Sequence, residues 1–172
     1  MLAKYQESAF AGIPYLKGGD DEYIQFYNNT TVMTNGDVKC ISTMVDYTDA
    51  DNPILRPILV AVTTKASPGV MIAVVDDPSG TVAASTWGRA KIRGCVKANV
   101  DGGTTDIVVG DQLKVLNSGT AFTRSTAATV TSSVIGTGVI LATTTSAVAL
   151  EAYTSGTNAL KWVCLLGMRS VV

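Results

Sequence analysis

Acid/base chemistry near neutral pH and most metal sites depend on histidine, and this chain of 172 residues contains none. That removes the commonest general acid/base and the commonest ligand for zinc, copper and non-haem iron. Serine and cysteine nucleophiles are left without the imidazole that activates them in a triad. Paired carboxylates are the remaining route, and Asp76-Asp77 and Asp20-Asp21-Glu22 are the candidates. Neighbouring residues of a strand point to opposite faces, so such pairs do not converge on one substrate. Asp46, Asp49 and Asp51 form the densest oxygen-rich loop. The glycine and distal glutamate of an EF-hand are missing there, and the run before Pro53 reads as an Asn/Asp turn. Gly-rich phosphate loops with their Lys-Ser or Lys-Thr ending do not occur. The expectation is a protein that is not an enzyme, with no catalytic set, no metal and no cofactor.

Charge points the same way. Lys and Arg number 13 against 14 Asp and Glu, a formal net charge of -1, and charged residues are only 16% of the chain against 47% hydrophobic. A nearly neutral chain lacks the field that draws proteins to phosphate backbones, so direct nucleic-acid binding is not expected. One local exception stands out. Arg89, Lys91, Arg93 and Lys97 recur at two-residue spacing and alternate with Ala90, Ile92, Gly94, Val96 and Ala98. In a strand this makes one apolar and one cationic face. The ridge faces solvent, an acidic partner or a neighbouring subunit; nucleic acid is disfavoured because no aromatic stacking platform is interleaved with it. Cys40, Cys95 and Cys164 are odd in number and far apart, and read as reduced, semi-buried thiols.

The elements that must carry these residues are strands. From Tyr23 onward, β-branched and aromatic residues come in short runs broken by Gly, Asn, Asp and Pro. The pattern predicts strands near 23–27, 38–45, 58–63, 69–75, 89–100, 112–116, 120–124, 129–135, 138–142, 147–153 and 160–167. The run Val70-Met71-Ile72-Ala73-Val74-Val75 is apolar on both faces and predicts a strand buried from both sides, ending at the turn Asp76-Asp77-Pro78-Ser79-Gly80. The Thr-rich stretch from Thr123 to Ala149 holds enough Val, Ile and Leu to belong to the fold as hairpin strands around Gly136-Thr137-Gly138. Residues 1–24 carry Tyr5, Phe10, Ile13 and Tyr15 without sustained periodicity and read as an extended N-terminal arm. The expected architecture is therefore mostly β: an arm at 1–24, then one compact barrel- or sandwich-like domain of short antiparallel strands at 25–172. The start lacks an apolar run behind a cationic segment, and no stretch of about twenty apolar residues exists to span a bilayer. Synthesis in a cytoplasm is expected, and the glycosylation sequons at Asn28 and Asn29 are then empty.

The middle of the chain resembles the capsid decoration, or cement, proteins of tailed bacteriophages. The residues that carry the likeness are Arg56 to Val62, Gly69 to Asp77, and Ile92 to Val100 leading to Ile107-Val108-Val109-Gly110-Asp111-Gln112-Leu113. The Gly-containing strand Val134 to Leu141 and the closing apolar strand at Leu160 to Leu166 complete it. The resemblance covers residues 25 to 167; the Thr-rich segment and the polar arm are particular to this chain. It implies a compact β subunit, often trimeric, made in the bacterial host cytoplasm and seated on the capsid exterior where capsomers meet, with the major capsid protein as partner. Weak sites on each subunit become firm when several engage together. Interface candidates are then Tyr5, Phe10, Ile13 and Tyr15 of the arm and Arg89, Lys91, Arg93 and Lys97 of the ridge. The alternative from the same β content is a tail-associated or receptor-binding module that recognises a host surface or a glycan.

Overall fold

A computed structural model describes residues 21–47, 51–61, 71–103, 106–115, 120–125, 146–154 and 157–167. These residues form eleven strands and no helix. In chain order they are β1 (Glu22–Asn28), β2 (Met33–Thr34), β3 (Val38–Asp46), β4 (Ile54–Val60), β5 (Ile72–Val75), β6 (Thr81–Val82), β7 (Thr86–Val100), β8 (Gln112–Val115), β9 (Phe122–Arg124), β10 (Ala147–Ala149) and β11 (Ala159–Leu166). The mostly β, barrel-like reading holds. β1 already begins at Glu22, so the last residues assigned to the arm are strand. The expected strands at 129–135 and 138–142, the Gly136 turn, and Tyr5, Phe10, Ile13 and Tyr15 lie outside the described residues.

β7 is the spine. Its C-terminal half pairs with β11, and β11, β10, β8 and β9 follow in order until β9 returns to β7 and closes a five-stranded barrel. Every pairing in the ring is antiparallel except β7 with β9, which is parallel at Val100↔Phe122. Val96, Ala98, Val100, Leu113, Phe122 and Val163 fill the barrel. The N-terminal half of β7 pairs with β1 on one edge and β5 on the other, and β3 and β4 continue the sheet beyond β5. A second core of Phe26, Met33, Leu59, Ala73, Val75, Val82 and Ala90 lies there. All four residues of β5 are buried, as its two apolar faces predict: Ile72 and Val74 pack in the first core, Ala73 and Val75 in the second.

The even residues of β7 do not all serve one core. Val75 and Ala90 are opposite each other and both belong to the second core; Val74, in the first core, is opposite Lys91. Directly opposed residues share a face, so at this point it is the odd residue, Lys91, that lies on the first-core side. Five residues later Val96, an even residue, packs in the first core. The strand therefore exchanges its faces between 91 and 96. A β-bulge does this: Tyr23 opposes Lys91 but Glu22 opposes Arg93, which leaves Ile92 unmatched, and Gly94 follows with φ +97°. Gly94 is fixed twice over, because a Cβ there would stand 3.1 Å from the Cα of Asp21 and closer still to its carboxylate. The single apolar face expected for 89–100 is thus two half-faces joined by a bulge.

Two local devices departed from expectation. β4 starts at Ile54 rather than 58 and runs through Pro57; β4 ends the sheet, and an edge strand tolerates a residue without a backbone donor. The paired two-residue strands β2 and β6 were too short to leave a pattern. Between β5 and β6 the expected turn forms around Asp77. Its carboxylate accepts hydrogen bonds from the Ser79 hydroxyl at 2.6 Å, the Ser79 amide at 3.0 Å and the Arg89 amide at 2.9 Å. Asn28, the first sequon residue, is fully buried; its amide donates to the carbonyls of Thr31, Val82 and Ala83.

Two outcomes are expected. Gly94→Ala should lower the unfolding free energy by about 2 kcal/mol in urea titration, because alanine is strained at that φ and meets Asp21. The hydrogen bonds from Ser79, side chain first, hold the Asp77 carboxyl below the ordinary carboxylate range. A depressed folded value gives stability that is full above the unfolded value of about 4 and is lost as pH falls through the folded one. The gap in melting temperature between the wild type and Asp77→Ala should be constant from about pH 8 to 5 and narrow below about pH 4.

Candidate interaction surface

The β3–β4 hairpin is longer than the core it covers. Ile41 and Leu59, an opposed pair, pack against the second core, but the pairing continues outward through Val45↔Leu55 to Asp46↔Ile54. Beyond the core the apolar side chains remain: Leu55 is 68% exposed, Tyr47 69%, Ile54 56% and Val45 40%. Val45 and Leu55 share one face of the hairpin and Ile54 stands on the other, so the end of the paired stretch is apolar on both sides, beside exposed Asp51 and Asn52 of the connection. At its base Arg56 is fixed by an ion pair to Asp46. The guanidinium carbon of Arg56 lies 5.1 Å from the ring centre of Tyr27 and 5.7 Å from that of Trp87. The two rings, opposed across β1 and β7, meet edge to face at 5.7 Å. Tyr, Trp and Arg beside exposed aliphatic groups are the composition of protein-binding hot spots.

The cationic ridge is mostly occupied by the chain itself. Lys91 is buried, with its Nζ 3.0 Å from an Asp21 carboxylate oxygen and 2.7 Å from the Cys95 carbonyl. Burial opposes its charge, but hydrogen bonds with Tyr23 and Asp21 and the Asp21 carboxylate outweigh it and hold the ammonium above its ordinary value. Arg89 donates from Nε to the Asp76 carbonyl at 2.9 Å and lies over the Tyr23 ring at 4.5 Å. Arg93 pairs with Glu22 at 3.5 Å. Lys97 is exposed, with its ammonium 5.6 Å from the Trp162 ring centre. Of the four, Lys91 is a fold residue, and Lys97 presents its charge outward.

Between these groups lies an open groove of about 450 Å3 lined by Tyr23, Asn35, Asp76, Lys97, Leu160 and Trp162, among others. Sequence reasoning found its β7 wall but not its β11 wall, because nothing in the pattern says which strand lies beside Lys97. The hairpin tip was missed as well. Its signal was present: Ile54 and Leu55 are large apolar residues between a turn and a proline. Among the described residues there is no cluster of three or more metal-ligating side chains, and no helix is long and apolar enough to cross a membrane.

Lys91→Met should cost about 2 kcal/mol in urea unfolding, since it strips hydrogen bonds from a buried carbonyl and from Asp21. Lys97→Glu should change stability by less than about 0.5 kcal/mol. No protein-family model, curated protein or solved structure matches this chain.

Proposed function

We propose that the chain is a structural virion protein that binds the outer surface of a phage capsid at capsomer junctions, as a homotrimer, and stabilises the shell. The observation that carries this reading is the hairpin tip with its Tyr27–Arg56–Trp87 base. Exposed apolar side chains on both faces of the hairpin end suit insertion between protein surfaces, where burial contributes about 25 cal/mol per Å2. The body behind it is held by two packed cores, so little ordering is needed on binding. Charges that are paired within the chain leave docking to shape and apolar contact rather than to long-range attraction.

A tail-associated module that recognises a host glycan is the second reading. It draws on the groove, where exposed Trp162 and Tyr23 stand with Asn35 and Asp76, aromatic surface beside a few polar groups.

The test mixes purified protein with expanded empty capsids of a tailed phage and measures bound protein after sedimentation. Stoichiometric binding is expected, weakened about tenfold or more by Leu55→Asp with Tyr47→Ser while the melting temperature stays within about 2 °C. Absence of binding at micromolar concentration overturns the first reading. Retention on a glycan array, lost in Trp162→Ala, would establish the second in its place.

A further inference from the structure

Register brings together two thiols that lie far apart in the sequence. Cys95 on β7 stands directly opposite Cys164 on β11. Antiparallel pairs are of two kinds, and in the non-hydrogen-bonded kind the side chains are closer and the Cα atoms about 4.5 Å apart. The backbone identifies which kind this is. The Asn99 amide donates away from β11, to the Gly36 carbonyl at 2.8 Å, so Asn99↔Leu160 is a non-hydrogen-bonded pair. Pair types alternate along a ladder, which makes Lys97↔Trp162 and Cys95↔Cys164 non-hydrogen-bonded too. Three further bonds agree. The Trp162 carbonyl accepts from Leu150, the Leu166 amide donates to Ser146, and the Cys95 carbonyl accepts from Lys91, all on sides away from the β7–β11 seam. A Cα separation of about 4.5 Å lies at the short end of the range that disulfides span. Cys95 is exposed and Cys164 half-buried, so reagents reach the pair from solvent, whereas Cys40 is buried and its thiol is pushed up by burial.

We infer that Cys95 and Cys164 form a cross-strand dithiol, a modification site that closes to an intramolecular disulfide with a low-molecular-weight disulfide as oxidant. The exposed Cys95, as thiolate, attacks the reagent's S–S bond, forms a mixed disulfide and expels one reagent thiolate. Cys164, as thiolate, then attacks the Cys95 sulfur, forms the protein S–S bond and expels the second. Both protein thiol protons end on the two released thiols; two cysteines are oxidised and one reagent disulfide is reduced. The bond staples β7 to β11 in the barrel wall, next to the bulge, whatever partner the protein binds.

The test incubates the full chain with oxidised glutathione, quenches with acid, and measures intact mass and a non-reducing tryptic map. Expected is a loss of about 2 Da and one linked species joining Gly94–Lys97 to Trp162–Arg169, with a melting temperature raised by about 5 °C and restored by dithiothreitol. Cys40→Ala should keep the link; Cys95→Ser and Cys164→Ser should each abolish it, with Cys164→Ser stopping at a glutathione adduct on Cys95. A lasting glutathione adduct on wild-type Cys95, a link that involves Cys40, or a disulfide between two chains would each overturn the assignment.

Discussion

A single fifteen-residue strand walls two hydrophobic cores, and it does so by exchanging its faces part-way along. Side chains of a regular strand alternate, so a straight β7 would give each core only the face that it happened to present. The bulge at Ile92 and the positive φ of Gly94 reset that alternation: Gly88 and Ala90 before it, Val96, Ala98 and Val100 after it. The price of a bulge is a broken ladder. Lys91 meets it, since its ammonium bonds the Cys95 carbonyl left facing away from β11 and reaches Asp21 beside Gly94. The burial of β5 on both sides, the closure of the barrel by β9 and the position of the hairpin all follow from where β7 turns.

What was legible in the sequence was local. Alternation located β1, β3, β7 and β11 nearly to their ends, and the doubly apolar run at 70–75 announced a strand between two layers, which is β5 at Ile72–Val75. The Asp77 turn was legible because Asp, Pro, Ser and Gly each have a defined place in it. Register was not legible. Alternation carries no mark of a one-residue slip when Gly94 is itself an unobtrusive member of the apolar series, so Arg89, Lys91, Arg93 and Lys97, separated by even numbers of residues, read as one ridge. In the structure Lys91 is buried, with its ammonium on the carboxylate of Asp21, 70 positions away, and on the Cys95 carbonyl. Pro57 misled in the other direction, for a proline ends a central strand but merely marks an edge.

Pairing of charge within the chain explains how a molecule with so few charged residues can bury one of them. A lysine ammonium inside a protein is costly unless it is paired and hydrogen-bonded. Asp21, Tyr23 and the Cys95 carbonyl supply those partners at one point, the bulge, where a backbone acceptor would otherwise go unmet. The same economy recurs at Arg56, which is held by Asp46 and two aromatic rings, and at Arg124, which pairs with Asp111 at 3.0 Å. Side chains of this kind are fixed in place, so the surface they form keeps its shape.

An apolar edge strand on such a body would ordinarily be a hazard, since its free backbone groups can template further strands. β4 carries two guards against this: Pro57, which removes a donor from the middle of the strand, and Arg56, whose charge is locked to the sheet by Asp46 and the aromatic pair. Beyond them Val45, Tyr47, Ile54 and Leu55 expose apolar surface. Sheet-to-sheet addition along β4 is therefore blocked, while side-chain docking of Ile54, Leu55 and Tyr47 into a cavity of a partner is left open. A contact of that kind saturates after one partner, in contrast with open-ended strand pairing, and it fits the shell-binding role proposed above.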